Sequence, residues 1–454
     1  MSNKNDLIRK YNVPGPRYTS FPTVPYWDEN TFSKEKWKKA VAESFSKSKA
    51  DGIAIYIHLP FCESLCTYCG CNTRITVNHK VEDPYISAVL KEWKLYREIF
   101  GSSPAIREIH LGGGTPTFFS PDNLKTLLHG IMKDCRICDD AEFSFEGHPN
   151  NTTALHLQTL FDLGFRRVSF GIQDFDSKVQ QIINRVQTFE HVEKVVAASR
   201  EIGYTSINFD LIYGLPLQTK KSVIETIEKV NQLRPDRIAF YSYAHVPWIK
   251  PGQRKFTEHD LPADAVKREL YETGKQMFSE QGYHEIGMDH FALPSDSLFK
   301  AMQEKTLHRN FMGYTHQYTK LMIGLGVSSI SDTWNAFAQN VKKVEEYYSV
   351  LAKNELPVFK GHFHSKEDGI LREHILNIMC RFETNWSQPE KRFSTISETK
   401  EILKELEADD LIILGEDGIL LKEEARPFVR NVCMAFDGYL LRNAPSTTIF
   451  SSTV

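Results

Sequence analysis

Six short apolar segments alternate with amphipathic segments between residues 53 and 245, and this alternation constrains the fold more than any other feature. Strands that alternate with helices of this length form βαβ units and a parallel sheet. Right-handed crossovers then curl such a sheet towards a barrel or a doubly wound fold. The predicted strands are Ile53–His58, Ile106–Leu111, Glu142–Glu146, Arg167–Ile172, Ser206–Ile212 and Arg237–Tyr243.

The segments that flank this core have other patterns. Tyr11–Pro22 is rich in proline, which predicts an extended N-terminal arm. After residue 250 we expect a helix over Asp264–Gln281, and the segments Gly287–Phe291 and Leu321–Ser331 could add strands. The predicted helices within the core include Pro84–Phe100, Asn123–Lys133, His191–Ile202 and Lys221–Leu233.

The last ninety residues change character. Predicted helices over Ile370–Arg381 and Ser397–Glu407 precede two short strands joined by a Gly-Glu-Asp-Gly turn, which suggests a small, mainly helical, winged-helix-like domain. Residues 398–424 hold ten acidic and three basic residues, a balance that repels DNA phosphates. We therefore expect a packing or lid role. The predicted domains are 1–50 (arm and lead-in helix), 51–345 (catalytic partial barrel with an extension) and 346–454 (C-terminal helical domain).

Composition excludes several classes of protein. The chain has 454 residues, with 55 Lys and Arg against 58 Asp and Glu, and its net charge of −3 offers no broad basic surface for nucleic acid. No apolar run approaches the 18 or so residues of a membrane helix, and Met1–Asp6 lacks the apolar core of a signal peptide. We expect a cytoplasmic protein that binds neither nucleic acid nor membrane, with its cysteines as free thiols.

Four of the eight cysteines lie within Cys62–Cys71. Three thiolates on one tight loop can hold three corners of an iron–sulfur cube and leave the fourth iron open to a ligand. Zinc or a reactive-thiol cluster is the alternative, but structural zinc normally takes two separated ligand pairs. The spacing favours a cube on Cys62, Cys66 and Cys69. Cys71 then has no ligand role, and we predict that it is catalytic, with a buried packing residue as the alternative.

Polar side chains follow three of the predicted strands. Glu146, Gln173 and Asp210 lie at the carboxyl ends of their strands, where α/β barrels hold their active sites, although each could be a helix cap or a loop hydrogen-bonder. Gly112–Thr117 follows another strand as a tight turn or a ligand loop. It lacks the Lys-Ser/Thr pair of a P-loop and the spacing of a dinucleotide fingerprint.

Together these motifs resemble the oxygen-independent coproporphyrinogen III oxidases of the radical S-adenosylmethionine superfamily, whose signature is CxxxCxxC after a strand. Two departures are Glu146-Gly-His-Pro149, where that family more often has Glu-Val-Asp-Pro, and Tyr68, which replaces a common Phe. Neither is a predicted cluster ligand. The matching segments are Pro14–Ser20, Tyr56–Cys62, Cys69–Asn72, Gly112–Thr117, Gly171–Phe175, Asn208–Pro216, Gly287–Phe291, His308–Phe311, Gly313–Thr315 and Arg430–Met434.

The resemblance implies an incomplete parallel (β/α) barrel of about six units that carries a [4Fe-4S] cluster on Cys62, Cys66 and Cys69. It also implies two S-adenosylmethionine molecules. The first would be lined by Tyr56, Gly113, Glu146 and Ile330. The second would contact Gly114, Thr115, Gln173, Arg185, Asp210 and Ala244.

The implied reaction is the oxidative decarboxylation of two propionate side chains of coproporphyrinogen III to vinyl groups by a 5′-deoxyadenosyl radical, giving protoporphyrinogen IX for haem biosynthesis. The implied partners are a flavodoxin- or ferredoxin-like electron donor and an unidentified acceptor, and we expect a monomer. One alternative is a haem chaperone with the same radical core, but such a chaperone is expected to lack the Pro-Gly-Pro-Arg arm. Another alternative is an enzyme that methylates or opens haem.

Arg17 could pair with a propionate or be an exposed charge. His58, His290 and His308 could be acid–base groups or structural histidines.

Overall fold

The computed structural model of the chain describes residues 4–443 and 450–453, and most of the described residues belong to regular elements. The strands are β1 (Ile53–Leu59), β2 (Phe61–Cys62), β3 (Arg74–Ile75), β4 (Ala105–Gly113), β5 (Arg136–Gly147), β6 (Phe165–Gln173), β7 (Ser206–Tyr213), β8 (Arg237–Ser242), β9 (His284–Gly287), β10 (His290–Ala292), β11 (His308–Asn310), β12 (Gly313–Thr315), β13 (Met322–Leu325), β14 (Ile330–Asp332), β15 (Ala336–Asn340), β16 (Val358–Phe363), β17 (Glu383–Asn385), β18 (Ile412–Leu414) and β19 (Gly418–Leu421). The helices are α1 (Lys4–Tyr11), α2 (Lys34–Ser48), α3 (Glu82–Phe100), α4 (Pro121–Met132), α5 (Ala154–Asp162), α6 (Ser177–Ile182), α7 (Phe189–Ile202), α8 (Lys220–Leu233), α9 (Asp264–Glu280), α10 (Ser297–Gln303), α11 (Val344–Ala352), α12 (Lys366–Arg381), α13 (Ile396–Ala408), α14 (Val429–Met434) and α15 (Gly438–Arg442).

A twelve-stranded, mostly parallel sheet forms the body of the protein, in the order β16-β15-β14-β13-β1-β4-β5-β6-β7-β8-β10-β9. The six predicted strands are β1 and β4 to β8; they are neighbours and all parallel, which confirms the predicted α/β sheet. β13 adds a seventh parallel strand beside β1. The segment Leu321–Ser331 therefore joins the sheet. Gly287–Phe291 also contributes to it, since it holds the end of β9, the start of β10 and the turn between these antiparallel strands.

The parallel strands are largely buried on both faces, as the strands of a covered parallel sheet are. Six of the seven residues of β1 are buried, and the exception is the half-buried Tyr56. The helices begin where the sequence supplies caps: Thr219 and Ser222 form a capping box at the start of α8, and Ser120 caps α4. These local signals begin several of the crossover helices, although α3, between β1 and β4, starts without a side-chain cap. The parallel arrangement leaves the carboxyl ends of the strands at one edge.

A second apolar core joins the N-terminal arm to the C-terminal helices. The arm is extended after α1, as predicted, but Tyr18 and Phe21 are only 2% and 1% exposed within this second core. The Arg430 guanidinium donates to the carbonyls of Gly15 and Pro16 in the arm and to that of Ser452 near the C-terminus. The arm is therefore packed into the C-terminal core and is not a separate segment on the surface of the protein.

The C-terminal part holds the predicted pair of helices, α12 and α13, and the predicted hairpin, β18 with β19. A third strand, β17, pairs with β19 on its other side. Two elements that lie wholly or mostly beyond residue 346 belong to the main body of the protein and not to the C-terminal part. β16 is an edge strand of the large sheet, and α11 packs against α3. No helix among the described residues is both long enough and apolar enough to cross a membrane.

An ionic layer lies inside the sheet, towards the amino ends of its central strands. The Arg167 Nε donates to Glu142 at 2.9 Å, and the Arg237 Nε donates to Asp296 at 2.7 Å. Glu108 shares this layer and is 2% exposed, and its Oε2 has no hydrogen-bond partner within the described chain. Burial, with the nearby Glu142 carboxylate, raises the pKa of Glu108 to about 8.

Glu108 should make stability depend on pH. Between its ordinary pKa of 4.5 and its folded-state pKa of about 8, the folded protein binds a proton that the unfolded chain has released, so this carboxyl lowers stability as pH rises through that window. In urea unfolding, Glu108→Gln should match the parent at pH 5 and exceed its free energy of unfolding at pH 8 by on the order of 2 kcal/mol. The exposed Glu43→Gln is the control, and the same difference at both pH values would contradict the prediction.

Candidate active site

The cysteine loop connects β2 to β3, which pair in parallel with Cys62 opposite Ile75. Other segments hold the loop by its backbone. The Thr67 N–H donates to the Ile183 carbonyl at 2.9 Å, and the Asn184 side chain donates to the Leu65 carbonyl at 2.8 Å. The loop is therefore fixed at the edge of the sheet where the parallel strands end.

A cavity of about 870 Å³ lies between this loop and the carboxyl ends of the strands. It brings together twelve of the fourteen predicted site residues. Those that line it are Cys62, Cys66, Cys69, Cys71, Gly113, Gly114, Thr115, Glu146, Gln173, Arg185, Asp210 and Ala244.

The other two predicted residues, Tyr56 and Ile330, are not among the residues that line the cavity. The Tyr56 ring stacks on His110, with the ring centres 5.9 Å apart, and it lies beside the Glu146 carboxylate. Ile330 starts β14 and packs through its backbone against Gly324 of β13. Tyr56 therefore lies beside two residues of the cavity wall, and the contacts of both Tyr56 and Ile330 with a cofactor stay predictions.

The thiols of the loop lie in an electropositive setting. The Arg185 Nη1 lies 3.5 Å from Cys66 Sγ, and Arg185 is itself buried. The Cys71 thiol and backbone N–H both donate to Cys69 Sγ, and these hydrogen bonds lower the pKa of Cys69 to about 6. Burial raises the pKa of Cys62 to about 11, partly offset by its contact with the Thr115 hydroxyl at 3.4 Å. Arg185 therefore favours thiolate ligands on this loop.

The arrangement of these thiols fits a cube better than a single metal ion. Tetrahedral zinc needs its ligands to converge on one point, and no three His, Cys, Asp or Glu side chains in the described ranges do so. Each corner of a four-iron cube takes its own thiolate, so three thiols spread around one cavity suit it. Gly70 leaves this space open, because a Cβ there would meet no atom within 4 Å. Cys62, Cys66 and Cys69 can therefore hold the cube.

The glycine segment after β4 packs closely against the start of the cysteine segment. The Gly114 N–H donates to the Leu59 carbonyl at 2.8 Å, and a Cβ on Gly114 would lie 2.6 Å from the carbonyl carbon of Pro60. Gly113 has φ +112°, which favours glycine, and a Cβ there would lie 2.7 Å from the His58 ring. The sequence left open whether this segment is a tight turn or a ligand loop. The geometry supports the ligand loop, because it brings backbone groups to the cavity.

Two carboxylates face the cavity with different surroundings. Burial would raise the pKa of Glu146, but hydrogen bonds from the His110 ring and the Gly113 N–H lower it, so Glu146 is anionic. Burial and the nearby Glu146 charge raise the pKa of Asp210 to about 6, although Ser169 and Asn208 donate to its two oxygens at 2.9 Å. This wall of the cavity therefore attracts a cation.

The four basic residues that the sequence left open have different positions. His290 lines the cavity; its ring lies 2.9 Å from the Met288 carbonyl, and burial lowers its pKa to about 3. His58 is buried between the Tyr56 hydroxyl and the Asn72 carbonyl, and His308 packs on Tyr318 outside the cavity lining. These contacts support the structural alternative for both histidines.

Arg17 reaches from the arm towards the sheet. Its guanidinium lies 3.3 Å from the Asp289 carboxylate and donates to the Ser242 carbonyl at 3.3 Å. Ser242 lines the cavity, so Arg17 lies at its margin.

Sequence reasoning missed the deeper wall of the cavity. Asn208 and Tyr314 lie in matching segments but were given no role, and no motif marks the other residues, because the set meets only when β6 to β8 and the segment around β12 come together. The residues are Arg167, Ser169, Asn208, Arg237, Tyr241, Met312 and Tyr314.

Comparisons with known proteins agree with this geometry. The sequence model of the radical SAM superfamily matches residues 56–230. The oxygen-independent coproporphyrinogen III oxidase of Helicobacter pylori is 40% identical over 441 residues, 96% of each chain, and that of Escherichia coli is 37% identical with the same coverage. The solved Escherichia coli coproporphyrinogen III oxidase, described as a radical SAM enzyme, superposes with a TM-score of 0.90 and 35% identity over 96% of this chain and 99% of its own. The chain therefore belongs to the oxygen-independent coproporphyrinogen III oxidase family of the radical SAM superfamily.

Proposed function

We propose that this chain converts coproporphyrinogen III to protoporphyrinogen IX without oxygen, by oxidative decarboxylation of two propionate side chains to vinyl groups. The observation that carries the proposal is the single cavity in which the cysteine loop faces Glu146 and Asp210, in a chain that matches this family over 96% of its length. Radical SAM enzymes use a [4Fe-4S] cluster and S-adenosylmethionine, which together supply the hydrogen-abstracting radical chemistry when bound.

The residues of the chain bind and orient these groups. Cys62, Cys66 and Cys69 would hold the cluster, and the anionic Glu146 and Asp210 would bind the cationic sulfonium and ammonium groups of two S-adenosylmethionine molecules. We assign Tyr56, Gly113, Glu146 and Ile330 to the first molecule. We assign Gly114, Thr115, Gln173, Arg185, Asp210 and Ala244 to the second.

The walls of the cavity and the bound substrate would together limit the access of water to the reaction. Coproporphyrinogen III carries four carboxylates, so cationic side chains at the cavity margin would orient it. Loss of carbon dioxide from each propionate leaves one electron, which an acceptor must remove. Arg17 is the candidate for substrate orientation, because it lies at the margin of the cavity and its forked guanidinium, which contacts Asp289 through Nη1, could also pair with a propionate.

An anaerobic turnover assay tests this function. Reconstituted protein, reduced with dithionite and supplied with S-adenosylmethionine and coproporphyrinogen III, should give a product that oxidises to protoporphyrin. The same mixture without S-adenosylmethionine is the control. Haem binding without turnover would replace the proposal with the haem chaperone, and a methylated or opened haem product would replace it with the haem-modifying enzyme.

Arg17→Gln should weaken substrate binding and leave the cluster intact. Glutamine keeps a polar side chain but removes the charge that would pair with a propionate, so we expect KM for coproporphyrinogen III to rise about tenfold. Iron content and reductive cleavage of S-adenosylmethionine should stay at parental values. The exposed Arg9→Gln, on α1, is the matched control. An unchanged KM would remove Arg17 from the substrate site.

We also propose the finer features that the resemblance implies. The parallel strands would form an incomplete barrel, and α12, α13 and the β18–β19 hairpin would form a winged-helix-like unit in a packing role. Because β16 belongs to the large sheet, the main body would extend past the predicted boundary at residue 346. We therefore propose a domain boundary near residue 365. We further propose a cytoplasmic monomer that takes electrons from a flavodoxin- or ferredoxin-like donor.

A further inference from the structure

A short segment after α15 pairs with the N-terminal arm. We call residues 451–453 the tail segment. The Gly15 N–H donates to the Ser451 carbonyl at 3.0 Å, and the Thr453 N–H donates to the Val13 carbonyl at 2.9 Å. The Thr453 hydroxyl also accepts from the Val13 N–H at 3.2 Å, across 440 residues of sequence. The arm therefore has a tertiary partner that holds its backbone, although its own sequence predicts only an extended conformation.

Arg430, on α14, cross-links the two segments and is only 3% exposed. A buried guanidinium is destabilising unless hydrogen bonds satisfy its donors, and here backbone carbonyls accept them. The accepting carbonyls belong to Gly15 and Pro16 in the arm and to Ser451 and Ser452 beside them. Arg430 therefore fixes the arm and the tail segment together against α14.

Gly15 has no room for a side chain, because the tail segment lies directly on it. A Cβ at this position would lie 2.6 Å from the Thr453 Cγ2 and 2.8 Å from the Met434 Sδ. Non-bonded carbon atoms pack at about 3.5 to 4.0 Å, so any larger residue would displace the tail segment or the arm. The glycine of the Pro-Gly-Pro-Arg arm is therefore needed for close packing.

Arg17 lies two residues after this close contact. Pro16, between Gly15 and Arg17, has a fixed φ, and its carbonyl accepts from the Arg430 Nε at 2.9 Å. The Arg17 carbonyl accepts from the buried Arg309 at 3.3 Å, so the backbone of Arg17 is held on both sides. Its guanidinium extends from this fixed backbone to the Ser242 carbonyl at the cavity margin. A displacement at Gly15 would therefore move the Arg17 guanidinium.

We propose that the tail segment is a clasp that positions Arg17 for the substrate, by holding the arm at Gly15 so that the guanidinium lies at the cavity margin. The proposal rests on the proposed function, which gives Arg17 a propionate to orient. Residues 451–453 do not line the cavity, so they are positioning residues that act only through the arm. Small displacements of an orienting group have large effects on a reaction, which gives such a clasp its value.

A purely stabilising role is the competing explanation of the pairing. The arm packs into the C-terminal core, so loosening the tail segment lowers stability in either case. The two roles differ in KM for coproporphyrinogen III, which stability alone leaves unchanged in the folded protein. A clasp that acts through Arg17 also has no further effect once the Arg17 charge is removed, because two changes on one route are not additive.

The test compares Gly15→Ala, Arg17→Gln and the double variant, each as reconstituted holoprotein. For Gly15→Ala we expect faster amide hydrogen exchange in the arm and a KM for coproporphyrinogen III that rises about fivefold, with little change in kcat. The KM of the double variant should be no higher than that of Arg17→Gln alone. Iron content and reductive cleavage of S-adenosylmethionine should stay at parental values. Thr453→Val, which keeps the shape of the side chain and removes its hydroxyl, should give the same pattern with a smaller rise, and it serves if Gly15→Ala fails to fold.

Two controls separate the clasp from general effects of substitution. Gly415→Ala adds a methyl group to an exposed glycine, where a Cβ would meet no atom closer than 3.5 Å, and should match the parent. Ile131→Val trims a fully buried side chain on α4, far from the arm in sequence, and should lower stability without raising KM.

Three results would overturn the clasp: an unchanged KM despite faster exchange in the arm, a KM effect that adds to that of Arg17→Gln, or an unchanged KM in Arg17→Gln itself. Failure of the proposed function gives a different pattern. The parent would then form no protoporphyrinogen, while hydrogen exchange in the arm would still be faster in Gly15→Ala than in the parent.

Discussion

Cys62→Ala, Cys66→Ala and Cys69→Ala variants should each purify with little iron and without the visible absorption of a four-iron cube. Each substitution removes one of only three protein ligands, so the cube would be left on two thiolates and lost from the protein. Reductive cleavage of S-adenosylmethionine and protoporphyrinogen formation should both fall below detection. Iron and sulfide analysis after anaerobic reconstitution, with the absorption spectrum from the same sample, measures the effect.

Cys138→Ala is the matched control for these variants. Cys138 is also a free cysteine, but it is buried on β5 and does not line the cavity, so its loss should leave iron content unchanged. A parent that binds stoichiometric zinc and no iron would contradict the prediction. A Cys66→Ala protein that keeps four irons would do the same.

The body of the fold could be predicted because its strands are short, apolar and buried on both faces. The apolar run Ile53–Leu59 is typical of a buried strand, and the amphipathic helices between the strands leave a parallel sheet as the way to join them. β13 is only four residues long, and its place beside β1 depends on a pairing across more than 260 residues. No local pattern encodes a partner at that distance, so the sequence predicted a strand in Leu321–Ser331 but its parallel pairing with β1 came only from the structure.

The site was predictable where function imposes a local pattern. The cysteine spacing and the glycine segment are such patterns, and the structure brings both to one cavity. Arg167 and Arg237 carry no such mark. Each lies on a strand among apolar residues and reaches the deeper wall of the cavity through a buried ion pair with an acidic residue from another segment. Their positions depend on tertiary packing alone.

The N-terminal arm has the extended backbone that the sequence predicts, but its side chains are packed into the fold in a way that the sequence did not predict. Proline keeps the segment after Tyr11 extended, as expected. Its aromatic residues nevertheless pack into the C-terminal core, and Tyr18 donates to the buried Asp437 at 3.1 Å. Deleting residues 1–22 would therefore expose that core and lower stability. The single change at Arg17 is the cleaner test of a substrate role.

Cys71 occupies an unusual position for a cysteine that holds no iron. It is exposed and lines the cavity, its thiol donates to Cys69 Sγ, and its carbonyl accepts from Lys250. A residue kept only for packing would be buried among apolar side chains. The position instead allows two functions, either contact with substrate in the cavity or support of the Cys69 thiolate through a hydrogen bond.

Cys71→Ser and Cys71→Ala together separate these functions. Serine preserves the size and the hydrogen bond to Cys69, so both functions predict that Cys71→Ser keeps its iron and the spectrum of the cube. If the thiol acts on substrate, protoporphyrinogen formation by Cys71→Ser should fall about a hundredfold, while reductive cleavage of S-adenosylmethionine continues. If it only supports Cys69, serine should be nearly active, and alanine should lose both iron and turnover. We expect the first pattern, measured as 5′-deoxyadenosine and protoporphyrin from one preparation; loss of the cube in Cys71→Ser would instead make Cys71 a fourth ligand and contradict the open iron.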